Sequence, residues 1–232
     1  MTTVNSEQVE CVLCKKDSPQ RVMGSSSAFG SYDLDLRPPE LLRHTMSFWL
    51  QECPHCHYVN GDISEGLPGA EWVVGTPEFS SIGNDAKTPA LATTFERFAM
   101  LVSTDPVRAG QALLHAAWVC DDLDKKRRAQ AYRCESAEFL SSAFLDVVTE
   151  QDRRWQVVLV DIWRRAKCFE EAHSLIERLR TLPGLTDTMS KVIDFQELRI
   201  RDQDIAAYTV EQALKYHQRF WMTAKDRPGR YN

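Results

Sequence analysis

Two Cys-x-x-Cys pairs, Cys11-Val12-Leu13-Cys14 and Cys53-Pro54-His55-Cys56, constrain this chain more than any other feature. Each pair can fold as a knuckle whose backbone amides point at the sulfurs, and two knuckles complete a tetrahedral four-sulfur shell that suits zinc. Such a shell leaves no position for water. The expected metal is therefore one structural Zn2+ on Cys11, Cys14, Cys53 and Cys56, whose binding energy stands in for a core too small to fold alone. The competing reading, two unconnected pairs with one a redox dithiol, lacks a thioredoxin-like βαβ pattern around either pair. His55 or His57 could replace a cysteine, but the paired spacing favours four thiolates and puts His57 on the knuckle rim. Thirty-eight residues separate the pairs, more than zinc ribbons usually allow. Residues 15–52 must hold an insertion, with Ser47–Glu52 expected as the strand feeding the second knuckle. Seven cysteines are an odd set for a disulfide framework, and the first ten residues lack a basic flank followed by an apolar run, so a cytoplasmic location is expected. No stretch approaches the length of a membrane span.

The texture then changes twice. Gly61–Ala92 carries Gly61, Gly66, Pro68, Gly69, Gly75, Pro77, Gly83 and Pro89, a density of breakers that forbids a long helix and predicts a connector, with Glu71–Val74 as a strand-like piece. From Thr93 the pattern is helical. Thr93 and Glu96 read as a capping box for a helix running to Ser103. Asp105-Pro106 starts the next, with Leu113, Leu114, Ala117 and Trp118 on one face. Further helices are expected over Lys125–Val148, with Ala131, Cys134, Phe139, Ala143, Phe144 and Val147 inward, and over Arg153–Lys167. Another runs from Phe169 to the Leu182-Pro183-Gly184 stop, followed by Thr188–Arg201 and, after a Thr209–Gln212 capping box, Val210–Trp221. The expected organisation is a zinc-ribbon-like domain at 1–60, a connector at 61–92, a helical domain at 93–222 and a frayed tail at 223–232. The fold class is mainly α: a small β-containing zinc ribbon followed by a tetratricopeptide-like helical array. Leu159–Ala172 resembles the inter-helix turn of a tetratricopeptide repeat, with Phe169 in the turn, Ala172 entering the second helix and Lys167 where the repeat usually has glycine.

A wider resemblance joins these landmarks. Cys11-x-x-Cys14, Asp33-Leu34-Asp35-Leu36-Arg37-Pro38-Pro39, and Phe48-Trp49 leading into Cys53-Pro54-His55-Cys56-His57-Tyr58 resemble the uncharacterised bacterial family catalogued as domain of unknown function 2225. Ala116–Asp122, the turn ending at Ala172, Phe195-Gln196 and Arg201-Asp202 resemble that family's later landmarks. His57 departs from it, standing where the family's knuckle normally carries glycine. The resemblance implies a zinc ribbon joined to tetratricopeptide-like helices and no established activity.

Charge narrows the choice of partner. Lys and Arg number 28 against 33 Asp and Glu, a net charge of −5 that supplies no overall drive toward nucleic acid or an anionic membrane. Arg127, Arg128, Arg164 and Arg165, at helical spacing, are the candidate partner-binding residues, and arginine pairs well with acidic segments. The leading expectation is a zinc-binding, non-enzymatic scaffold that binds another protein. A nucleic-acid or ribonucleoprotein factor using the ribbon and the Lys125–Arg128 cluster is the alternative, and an uncharacterised enzyme is the third. Asp33, Asp35 and Arg37 are expected in an extended strap with Leu34 and Leu36 inward and the acids facing water or pairing with Arg37. Gly24–Ser31 lacks the Gly-Lys-Ser/Thr ending of a phosphate loop and reads as a flexible loop. Asp121 and Asp122 are expected to pair with Lys125–Arg128, Cys120, Cys134 and Cys168 to fill core, and His115 to pack half-buried. No catalytic set is recognisable.

Overall fold

A computed structural model describes residues 3–25, 29–144 and 149–216. Ser26–Ala28, Val147, Val148 and everything from 217 onward, including the expected helix end at Trp221 and the tail, lie outside the described residues. Strands β1 (Thr3–Glu10) and β2 (Asp17–Ser25) pair antiparallel with Glu10 opposite Asp17, so Cys11–Lys16 becomes a hairpin turn. The two-residue strands β3 (Gln51–Glu52) and β4 (Val59–Asn60) repeat the arrangement around Cys53–Tyr58. The segment before β3 is not the expected strand. A 3-10 turn over Met46–Phe48 occupies it, with the Trp49 indole N–H donating to Thr45 Oγ1 at 2.9 Å.

The chain divides into two compact units, 1–30 with 39–143, and 31–38 with 144–232. This division departs from the expected ribbon, connector and array. The first unit contains both hairpins, the short helices α1 (Glu40–Arg43), α2 (Ala70–Val74) and α3 (Pro77–Ser81), and the long helices α4 (Ala90–Leu101), α5 (Pro106–Asp122) and α6 (Lys126–Ala143). Cys11, Cys53, Tyr58, Val59, Ile63, Ala70, Phe79 and Leu101 form one buried cluster, so the cysteines belong to a core that reaches α4. The Gly/Pro-rich stretch holds α2 and α3, and Glu71–Val74 is helical rather than strand-like. Helix α4 starts three residues before the expected box: Pro89 is its extended N-cap, and Thr93 N–H already donates to Pro89 O at 3.0 Å. Asp105 caps α5 as the sequence predicts, accepting from Val107 and Arg108 amides at 3.1 Å, with Pro106 in the first turn. Helix α5 packs on α4 and α6. Gly110 lies in its contact with α6, where Ser136 Oγ donates to Gly110 O at 2.7 Å. The buried stripe of α6 is Ala129, Tyr132, Arg133, Ser136, Ala137 and Leu140, while the expected Ala131 is exposed and Cys134, Phe139 and Ala143 are half-buried. Arg133 accounts for the rotation: its guanidinium is buried against Asp121, 2.5 Å away, so a charge occupies a position that apolar counting gives to a neighbour.

The second unit packs α7 (Glu150–Arg165) against α8 (Phe169–Thr181) and α9 (Asp187–Arg201), with a further helical stretch at 210–216. Thr149 and Asp152 form the capping box of α7, Thr186 caps α9, and Thr209 and Gln212 exchange the bonds of the expected box. Residues 31–38 join this unit as a strap: Leu34 N–H donates to Tyr208 O at 2.8 Å and Val210 N–H to Tyr32 O at 2.9 Å. The facing departs in part from the expected one. Leu34 is buried as expected, but Asp33, Asp35 and Arg37 are buried as well, and Leu36, at φ 65°, is exposed.

Helices α5, α7 and α9 stop in the same way. Asp124, Lys167 and Gln203 take positive φ (54°, 68° and 52°), and the next amide reaches back to the carbonyl five residues earlier: Lys125 to Cys120, Cys168 to Trp163, Asp204 to Arg199. Each is a Schellman closure without glycine. Among the described residues no helix is long and apolar enough to cross a membrane.

Candidate metal centre

Both knuckles have the same local geometry. In the first, Lys15 N–H donates to Cys11 O at 2.9 Å and Cys11 N–H to Lys16 O at 3.0 Å. In the second, His57 N–H donates to Cys53 O at 2.9 Å and Cys53 N–H to Tyr58 O at 2.9 Å. The residue after each second cysteine lies in the left-handed region, Lys15 at φ 58° and His57 at φ 60°. Glycine costs least there.

The ligand atoms of Cys11, Cys14, Cys53 and Cys56 all lie within 4.8 Å of one another. The Cys11–Cys56 and Cys14–Cys53 sulfurs are 3.7 and 3.6 Å apart, far beyond a disulfide. A tetrahedron with metal–sulfur bonds of about 2.3 Å has edges of about 3.8 Å. The four cysteines can therefore hold a metal ion. Cys11 and Cys53 are buried and Cys14 and Cys56 half-buried. Burial pushes the Cys53 and Cys56 thiols up. At Cys14 burial works in the same direction, but the Lys16 amide and the neighbouring sulfurs outweigh it and the thiol is lowered. Four thiolates this close repel one another, so full ionisation goes with a cation at their centre.

Glu52 ties the second knuckle to α4. Its carboxylate accepts from Thr94 Oγ1 at 2.5 Å, Arg97 Nη1 at 2.5 Å and the His57 ring at 2.9 Å. His57 is thus a rim residue held by Glu52. His55 is exposed, and neither histidine belongs to the ligand group. The first knuckle is fixed by Val12 N–H donating to Ile63 O at 2.9 Å.

Two of the four arginines assigned to a partner surface are buried. Arg164 is fully buried: its guanidinium lies 2.6 Å from Asp161 and also donates to the carbonyls of Asp204 and Ala206. Arg165, 6% exposed, meets Asp35 at 2.5 Å. These two hold the strap and the 204–206 segment in the second unit and cannot reach a partner. Arg127 is exposed, and Arg128 is half-buried with its guanidinium on Thr88 Oγ1 at 2.9 and 3.0 Å. Asp121 binds Arg133 rather than only the nearby cluster. The Asp161-x-x-Arg164 spacing was the visible hint of a helical ion pair, but its burial depends on residues forty positions away. His115 sits among Trp49, Phe95 and Trp118, ring centroids 4.8–5.2 Å apart, as a packing residue.

No family model, curated protein or solved structure matches this chain.

Proposed function

We propose that this chain is a zinc-binding, non-enzymatic scaffold that works by binding another protein. The observation that carries the zinc assignment is the closed four-sulfur group. Soft thiolates in a tetrahedral set select zinc over hard cations, and a shell filled by protein ligands contributes folding energy rather than a reaction centre. One Zn2+ on Cys11, Cys14, Cys53 and Cys56 then fixes both hairpin turns to the core shared with α4. The helix pairs behind it are read as a tetratricopeptide-like array, a form that offers side chains on rigid supports to a bound segment. The buried charges Asp161 with Arg164 and Asp35 with Arg165 are engaged with each other, which suits support rather than catalysis. Membership of the family catalogued as domain of unknown function 2225 is part of this proposal. It is supported by the positive φ of His57, the position that the family fills with glycine. A cytoplasmic location is the companion proposal, since seven cysteines with no disulfide among them suit a reducing compartment.

Elemental analysis of the purified protein beside a Cys53→Ser, Cys56→Ser variant tests the metal. One zinc per chain, lost in the variant, is the expected result; iron in its place, or zinc unchanged in the variant, overturns the assignment. Affinity capture of the native protein with mass spectrometry tests the scaffold reading, which fails if no protein is retained above control.

A further inference from the structure

Lys125, Lys126, Arg127 and Arg128 lead into α6, and with Lys87 they line one cavity of about 490 Å3. Two carboxylates share its wall, Asp85 at 3.6 Å from Arg128 and Asp124 at 3.2 Å from Lys126. Lys87, Lys125 and Arg127 are exposed and form no ion pair among the described residues. Five cations against two carboxylates thus line the cavity, whereas Arg154 with Glu150, Arg180 with Asp194 and Glu197, and Lys215 with Glu211 are matched by acids elsewhere. The cavity is therefore positive on a chain whose net charge is −5.

Local stability does not explain this placement. Cations in a first helical turn face the positive end of the helix dipole, and successive like charges repel. Arg128 is nevertheless held in position, bonded to Thr88 and lying 5.3 Å from the centroid of the buried Tyr132 ring. The result is one fixed guanidinium with three free cations beside it, a preorganised receptor for several anionic groups. No aromatic ring lines the cavity. A base would find nothing to stack on, which favours polypeptide over nucleic acid.

We propose that this cavity docks an acidic segment of a partner protein, one carrying several carboxylates in a short stretch. The proposal rests on the protein-binding reading above and names the chemistry of that partner.

Fluorescence anisotropy of the full-length, metal-loaded protein with a labelled glutamate-rich peptide tests it. Binding should saturate, weaken with added salt and vanish for a peptide with glutamine in place of glutamate. A Lys87→Glu, Lys125→Glu, Arg127→Glu variant should bind about tenfold more weakly or worse, with circular dichroism and metal content unchanged. If that variant does not fold, Lys125→Gln with Arg127→Gln decides, and a smaller loss is expected. Absence of saturable binding by the parent protein, or equal binding by the variant, overturns the proposal. So does an RNA oligonucleotide that binds more tightly and is released by the same substitutions. If affinity capture retains one partner equally on parent and variant, the cavity assignment falls and the scaffold reading stands; if capture retains none, that reading falls by itself.

Discussion

Replacing Gly110 by alanine sets two opposing effects against each other at the α5–α6 contact. In a helix interior alanine is favoured over glycine by about 1 kcal/mol, so propensity alone predicts stabilisation. A Cβ at this position, however, would lie 2.7 Å from Leu140 Cγ and 3.1 Å from the backbone oxygen of Ser136. Neither atom is the free end of a flexible chain, and Leu140 is itself buried. Relief requires α6 to back away, which stretches the 2.7 Å bond from Ser136 Oγ to Gly110 O. Overpacking of this kind costs about 1–3 kcal/mol, and the branched contact places this site near the upper end. After the propensity gain, Gly110→Ala should destabilise by about 2 kcal/mol. For a chain of this size that lowers the melting temperature by about 4–8 °C. Thermal unfolding followed by circular dichroism measures it. Leu140→Ala supplies the control: alone it should cost about 2–5 kcal/mol, yet combined with Gly110→Ala the costs should fall short of their sum, because the clash has lost its partner. A raised melting temperature for Gly110→Ala, or strict additivity in the double variant, would refute the reasoning.

Three further outcomes follow from the centre and the strap. Metal affinity should fall as the pH is lowered, because burial raises the Cys53 and Cys56 thiols and these must lose protons to ligate; competition with a chromophoric chelator across pH reads this, and a flat profile contradicts it. Asp35→Leu removes the carboxylate 2.5 Å from the buried Arg165 and should cost about 3–5 kcal/mol in urea unfolding, with Arg165→Met added recovering most of the loss. Lys15→Gly should stabilise the metal-loaded protein by about 0.5–1 kcal/mol, since glycine bears φ 58° at lower cost; a lower unfolding midpoint would count against the knuckle geometry.

The four-cysteine group was legible because Cys-x-x-Cys spacing is local and the chemistry of sulfur leaves few alternatives. Caps were legible for the same reason: Asp105 and Thr209 act on amides two or three residues away. Buried charge was not. Arg133, Arg164 and Arg165 look like solvated surface in any window; tertiary packing brings Asp121 to Arg133 and Asp35 to Arg165, and completes Arg164, beside Asp161, with the carbonyls of Asp204 and Ala206. In the strap alternation places Leu34 correctly but not Leu36, whose φ of 65° breaks the extended pattern, nor the acids, which are buried as well. Glu71–Val74 shows tertiary context overriding local β preference, with Ala70 and its neighbours helical against the cysteine-containing core.

The strap also imposes an order in time on the making of this protein. Asp35 leaves the ribosome 130 residues ahead of Arg165, while the segments on either side of it belong to a unit that closes at residue 143. The first unit therefore completes its chain with residues 31–38 still waiting, acids hydrated, for helix α7 to be synthesised. At ~5–20 residues per second, the 130 residues from Asp35 to Arg165 take roughly 6–26 s. A gene fragment beginning at residue 144 would lack the strap altogether, and with it the Asp35 carboxylate that lies 2.5 Å from Arg165. The C-terminal helices of this chain cannot be inherited, transplanted or expressed as a simple tail: their last structural piece is made first.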